Sequence, residues 1–257
     1  MSKFLETHKN LIIASGGFVN DIFVEDVGVV ITKKSSITDD ARAIFDLMNI
    51  DTNQQDSQQH AEFNSRITYL SFKDKKSNSE EYNHKMIHEY GHRSVYNDEH
   101  VTVLIAGCSI ETMLEFIAHN EASVARLTSS KTKSQDQTLY RIQKRNVSEE
   151  FQTIQKEIVK RYISEVRSMI RPNCDVENEI ANILNLGNKA VSFTITMSLK
   201  DWHKTFIGRI SHHGVENEMI EILTKVLSSL TKEYPSFFNT EEEYFEMNNS
   251  KKIWCLI

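Results

Sequence analysis

The sequence predicts an α/β (α+β) fold, a single domain in which long helices pack on a small sheet. Three observations lead there. Its 257 residues hold only 2 prolines and 8 glycines, too few for the many tight turns of an all-β sandwich. Segments with a 3.6-residue apolar period alternate with runs rich in Val and Ile. Hydrophobic residues make up 39% and charged residues 26%, the balance of a chain that buries a substantial core. No internal repeat and no Pro-, Gly- or Ser-rich linker interrupts it.

Taken in order, Asp21 to Ile31 (DIFVEDVGVVI) predicts one or two short strands. Thr38 to Met48 predicts a short helix with Ala41, Ile44, Phe45 and Met48 on one side. The glutamine-rich stretch Asp51 to His60 has the composition of a surface loop. Ser65 to Phe72 (SRITYLSF) alternates and is β-branched or aromatic, which predicts a strand. A helix over Ser79 to Tyr90 ends at Gly91 in the usual C-terminal position. His100 to Ala106 is apolar enough for a buried strand, and Ser109 then caps a helix carrying Ile110, Met113, Leu114 and Ile117. Thr128 to Gln137 lacks apolar periodicity and predicts a loop. A long helix from about Val147 to Ile170 turns Phe151, Ile154, Ile158 and Val166 inward and stops before Pro172. Glu177 to Leu186 and Leu199 to Ile207 predict further helices, and Glu216 to Tyr234 another, with Met219, Ile222, Leu223, Val226 and Leu230 inward.

A formal net charge of −6 provides no global basic field for nucleic acid or an anionic membrane. Cys108, Cys174 and Cys255 are odd in number and far apart, so neither a disulfide framework nor a CxxC metal knuckle is built from them. The apolar patch Leu11 to Ala14 is shorter than the roughly 7–15 residues of a signal-peptide core. A soluble, cytoplasmic protein is the expectation. Trp202 and Trp254 are too isolated for a stacking platform, and Cys108 fits a buried small hydrophobe better than a nucleophile. Ser123 and Thr128 would need a neighbouring base to act as nucleophiles, and His119 is the only one at hand.

His88-Glu89-Tyr90-Gly91-His92 matches H-E-x-x-H, in which two imidazoles on one helical face hold zinc and the glutamate acts as base. His84 extends the spacing, and Glu111 or Glu115 offers a third ligand. Gly91 counts against this zinc-hydrolase alternative, because the helix must persist through the motif and glycine costs it roughly 1 kcal/mol. Solvated helix histidines are the plainer reading.

The same region carries a longer pattern. Ser65 to Phe72, a polar helix, Gly91-His92-Arg93-Ser94, Glu99-His100 and VTVLIAG follow one another, then Ala118-His119-Asn120-Glu121-Ala122-Ser123 and Arg126 to Lys131. Downstream come Glu179 to Leu184, Ser198-Leu199-Lys200-Asp201, Phe206-Ile207-Gly208-Arg209, His213-Gly214, Glu218-Met219 and Tyr234-Pro235-Ser236-Phe237. In order and spacing, Ser65 to Phe237 resembles the flavin-dependent thymidylate synthases. The resemblance implies a homotetramer with active sites built from several subunits. It also implies FAD, methylenetetrahydrofolate and a pyrimidine nucleotide or nucleoside as ligands, with transfer of a one-carbon group to C5. Residues 1–64 would be an N-terminal extension, 65–240 the family-like domain and 241–257 a tail.

Carried over position by position, the resemblance gives catalytic roles to His92, His119, Thr128 and Arg209. Ser94, Glu99, Lys200 and His213 fall at cofactor positions, and Arg126, Thr128 and Arg209 at the substrate. The departures are equally specific. Ala118 and Asn120 replace both arginines of the Arg-His-Arg signature, Arg126 replaces a glutamate, and Ser130 and Asn182 replace two more arginines. Each lost charge-assisted hydrogen bond to an anion costs about 1.5–3 kcal/mol. Arg126, Lys131 and Lys133 are new basic residues nearby that could rebuild a phosphate site, the alternative being a solvated loop. A non-catalytic flavin-binding or scaffold homologue is the alternative from outside enzymology.

Overall fold

The computed structural model describes residues 3–51, 53–71, 78–119, 122–126, 138–165, 169, 187–210 and 215–249. The chain divides into two units, one of Met1–Val30, Val103–Ile195 and Gly214–Ile222, the other of Ile31–Thr102, Thr196–His213 and Leu223–Ile257. The mixed α/β class, with helices packed on small sheets, agrees with the composition and periodicity.

Helix α1 (Lys3–Ala14) opens the first unit, and strands β1 (Phe18–Asn20), β2 (Phe23–Asp26) and β3 (Gly28–Lys34) follow. Leu5, His8 and Ile12 share one face of α1 and are all buried. Leu5 and Ile12 pack with Val24, Ala106, Leu139 and Ala190. β1 pairs antiparallel with β2, and β2 pairs parallel with β6 (Tyr140–Arg141), giving the order β1-β2-β6. The second sheet has the order β3-β4-β7-β5, where β4 is His100–Ser109, β5 Ser123–Arg126 and β7 Ala190–Ser198.

A buried arginine ties the first unit together. Arg141 on β6 reaches Glu218 at 3.1 Å and Glu221 at 2.7 Å. Glu218 also accepts from the Ser109 backbone N–H and the Thr112 hydroxyl, both at 2.9 Å. Those two residues start α5 (Ile110–His119), whose Thr112 N–H donates to the Ser109 hydroxyl as the sequence predicts. Met113 and Phe116 are buried on α5, whereas of the other residues on its predicted apolar stripe Ile110 is half-buried and Leu114 and Ile117 are exposed. Helix α6 (Glu149–Glu165) inverts its prediction. Val159 is its buried contact, and Phe151, Ile154 and Ile158 lie on the exposed side. Val166 and the predicted helix over Glu177 to Leu186 lie outside the described residues.

In the second unit, α2 (Asp39–Leu47) is capped by Thr38, whose hydroxyl accepts from the Ala41 N–H. Of its four expected inward residues only Phe45 is buried, and Ile44 and Met48 are exposed. The predicted loop at Asp51 to His60 gives way to helix from Asp56 on, and the predicted strand at Ser65 to Phe72 is overturned. One helix, α3 (Asp56–Tyr69), runs through both. Its inward face is Gln58, Gln59, Glu62, Ser65 and Arg66, so it carries no apolar period. Hydrogen bonds take the place of apolar packing. Gln58 bonds Ser236, Asn83 and Tyr96, and Glu62 bonds Arg66 and Ser79.

Helices α7 (Leu199–Ile210), α8 (Asn217–Glu233, entering from the first unit) and α9 (Glu241–Asn249) complete the fold. All five residues expected inward on α8 are buried. Phe237 packs on Tyr96 at 4.7 Å and on Phe238 at 4.8 Å between ring centroids. Trp202 stacks on Phe206, and Cys108 is a buried thiol pushed up by that burial, not a nucleophile.

Gly28 stands close against neighbouring backbone in the first unit. A Cβ there would lie 2.8 Å from the Ile12 carbonyl oxygen and 2.9 Å from that of Ser15. Gly28→Ala is expected to cost roughly 1–3 kcal/mol in urea unfolding. Gly208→Ala, in open space on α7, is expected to gain about 0.5–1 kcal/mol. Equal stability of the two variants would contradict this packing.

Candidate functional site

The second unit holds the turn that carries the motif residues. Helix α4 (Ser79–His84) is capped by Asn78 and widens into a π-helical turn, Lys85–Glu89. Gly91 then takes φ +72°, the His92 N–H donates to the Met86 carbonyl at 2.8 Å, and a 3₁₀ turn runs over Arg93–Tyr96. This ends the helix as the sequence predicts and dismantles the zinc motif. His88 Nε2–H donates to the Ser236 carbonyl at 3.1 Å, whereas His92 lies beyond the break, with the Tyr69 hydroxyl 3.2 Å from its Nδ1. Among the described residues no group of three or more His, Cys, Asp or Glu is placed to hold a metal ion. The zinc-hydrolase alternative and its ligands Glu111 and Glu115 fall with that.

Arg93 turns toward α7 and α9. Its Nη1 meets Nε2 of His203, and His203 Nδ1 lies 2.6 Å from the Tyr244 hydroxyl. A guanidinium can only donate, so Nε2 accepts and the imidazole proton sits on Nδ1, pointing at Tyr244. Burial, then the neighbouring Arg93 and His88, hold the His203 pKa down to about 3. Burial also lowers the pKa of Arg93 itself, whose Nε is shut off from solvent without a partner. His88 is pushed down by burial and then by His84, whose ring centroid is 4.5 Å away.

Six residues on from Arg93, Glu99 is 3% exposed, and its Oε1 lies 3.3 Å from Nδ1 of His60 on α3. That bond raises the His60 pKa against the opposing effect of burial, and Asp98 at 3.6 Å adds to it. The Glu99 carbonyl accepts from the Leu199 N–H at 2.9 Å, which sets the start of α7 and hence Lys200 beside this segment. Ser94 is exposed, and His92 and Lys200 are partly so.

His92, Ser94, Glu99 and Lys200 therefore belong to adjoining segments. Arg209 does not join them. Nine residues on from Lys200 along α7, it lies on the opposite helical face and about 14 Å further along the axis. Only the backbone of His119, at the end of α5, and of Arg126, at the end of β5, is described, and Thr128, Lys131, Lys133 and His213 lie outside the described residues. Reading the sequence missed His60, His203 and Tyr244. None sits in a local motif, and only Arg93, inside Gly-His-Arg-Ser, left a signal.

The first unit has a cleft of about 380 Å³ lined by Glu111, Glu216 and Glu218, with Arg141 already paired to Glu218. The Glu216 carboxyl is pushed up by burial and by Glu111, Glu115 and Glu218. Such a lining repels anions, whereas the Gly91–Ser94 turn carries the cationic Arg93.

Comparison with known proteins bears on this turn. The family model described as thymidylate synthase complementing protein matches residues 49–236. No curated protein matches the sequence. Among solved structures, Thymidylate Synthase X from Helicobacter pylori, crystallised with FAD and dUMP, superposes with a TM-score of 0.58 at 13% identity. The match covers 86% of this chain and 99% of that one, a likeness of fold.

The His60–Glu99 bond predicts a pH dependence. A histidine whose folded pKa is raised stabilises the protein fully below its ordinary value of 6.5 and loses that contribution as pH rises through the folded value. The stability difference between wild type and His60→Gln, measured by urea unfolding, should be largest near pH 6 and shrink above it. A difference constant with pH would contradict the bond.

Proposed function

The chain belongs to the thymidylate synthase complementing protein family, and on that premise we propose that it is an enzyme that binds FAD and a pyrimidine nucleotide or nucleoside, transferring a one-carbon group from methylenetetrahydrofolate to pyrimidine C5. The observation that carries this is the family match over residues 49–236, which spans every position assigned a site role.

The fit of the described residues to FAD supports the reading at Ser94 and Lys200, two of the four cofactor positions, His213 lying outside the described residues. Ser94 offers an exposed hydroxyl, His92 an imidazole steadied by Tyr69, and Lys200 a partly exposed cation. Glu99 does not fit a direct contact, since its carboxylate is closed onto His60. In this reading Ser94 and Lys200 bind, and His92 orients, the ligand. Glu99 holds a proton on His60 Nδ1 and acts through it. Bound FAD would supply the hydride that reduces the transferred carbon. Arg209, on the far face of α7, would serve a different site of the same oligomer. Exposed Phe151, Ile154 and Ile158 on α6 and Leu114 and Ile117 on α5 favour a homotetramer that covers them. Among the described residues no helix is long and apolar enough to cross a membrane, and a cytoplasmic location is part of the proposal.

A non-catalytic flavin-binding scaffold is the second reading, favoured by Ala118 and Asn120 at the signature arginines. Purified protein should show flavin absorption bands and release tritium from a pyrimidine nucleotide or nucleoside labelled at C5 when given methylenetetrahydrofolate and a reductant. Flavin without tritium release would establish the scaffold. Protein that is colourless and does not take up added FAD would overturn both.

A further inference from the structure

We propose that the start of α3 is an anion-binding site, the Asp56 and Ser57 N–H groups and the Ser57 hydroxyl holding the phosphate group of a small ligand in the cleft in front of them. None of these residues is among those given to FAD or the pyrimidine, and the inference does not depend on that reading.

A cleft of about 330 Å³ lies at the start of α3. It is lined by Lys34 and Ser36 where β3 ends, by Gln55, Asp56 and Ser57, and by Tyr234 just past α8. A helix leaves its first N–H groups without intrahelical partners and carries about half a positive charge at that end. In α3, 14 residues long, the N-cap Gln55 makes no capping bond with its side chain. The Gln58 and Gln59 N–H groups both close onto the Gln55 carbonyl, at 2.9 and 3.1 Å. Those of Asp56 and Ser57 meet no acceptor among the described residues.

The Ser57 side chain points to a ligand independently. It is 5% exposed, and buried hydroxyls ordinarily find a partner. Among the described residues the Ser57 hydroxyl has none, and unlike the Tyr234 hydroxyl it is not sealed from solvent. Its remaining exposure is to the cleft it lines. Its neighbours on the same inward face are bonded, Gln58 to Ser236 and Glu62 to Arg66.

The side-chain charges around the cleft cancel. Lys34 meets Glu233 at 2.6 Å. The Asp56 carboxylate is committed, Oδ1 to Arg42 at 2.7 Å and Oδ2 to the Ile37 N–H at 3.2 Å. The helix end therefore sets the sign, and it favours an anion. Lys34, its side chain 55% exposed, can swing from Glu233 to an incoming charge. A phosphate group suits this end because its several oxygens accept from two N–H groups and a hydroxyl at once. Small-ligand pockets run from about 300 to 1,000 Å³, so this cleft holds the phosphate with a sugar-sized group attached.

Calorimetry and ¹⁵N NMR on the full-length protein test this, with inorganic phosphate as probe. The Asp56 and Ser57 amide signals should move as phosphate is added. Affinity should fall about tenfold in Ser57→Ala and less in Lys34→Gln, and vanish in Ser57→Asp, which puts a carboxylate in the cleft. No binding at millimolar phosphate would overturn the proposal, as would binding that leaves both amide signals in place or that survives Ser57→Asp. If the Ser57 variants do not fold, the wild-type amide shifts decide alone. Ribose 5-phosphate and ribose separate the sources of the anion. Ribose 5-phosphate binding more tightly than phosphate, with ribose silent, assigns the site to a sugar phosphate, and equal affinity assigns it to the free anion.

Discussion

A charge taken out of water has to be met by an opposite one, and this constraint organises the protein. In the first unit Arg141 is 2% exposed and draws β6 onto the start of α8 through Glu218 and Glu221. Glu218 passes the tie on to the start of α5. In the second unit Arg66 and Glu62 lock one face of α3, and Arg66 lies over the Tyr82 ring at 4.3 Å. Removing one partner of such a buried pair typically costs about 3–5 kcal/mol, because the other is left charged and alone. Arg93 is the exception, met by the neutral imidazole of His203.

The route of the backbone explains why the exception stands where it does. The helix begun at Ser79 loses its regular pitch over Lys85–Glu89 and reverses at Gly91. A straight helix would have stacked His84, His88 and His92 on one face, as the motif suggests. The widened turn instead points His88 at Ser236, leaves His92 beside Tyr69, and sends Arg93 toward His203. Local structure here decides the chemistry. A constellation that spells a metal site in one dimension becomes an imidazole–guanidinium cluster in three.

What could be read from the sequence follows from the same physics. Helix α8 was legible because its inward residues are aliphatic at helical spacing. Helix α3 was illegible because its inward face is polar, its side chains hydrogen-bonded to partners as distant as Ser236. A hydropathy pattern carries no trace of that pairing. On α6 the apolar stripe was visible but assigned to the wrong side, since exposed apolar residues and core residues share one period. The site was legible as a motif, Gly-His-Arg-Ser followed by Glu99, yet the residues that set its electrostatics, His60, His203 and Tyr244, come from three other helices. The family likeness supplied the order of the segments, and the fold supplied what each one touches.

The central claim is that buried charges are met by opposite ones, and it is most directly read from the arginine Nε–H resonances. In protein labelled with ¹⁵N-arginine, the Nε–H signals of Arg66 and Arg141, bonded to carboxylates, should lie downfield and be protected from solvent exchange. Signals of Arg66 and Arg141 that exchange as fast as that of an exposed arginine would contradict the account.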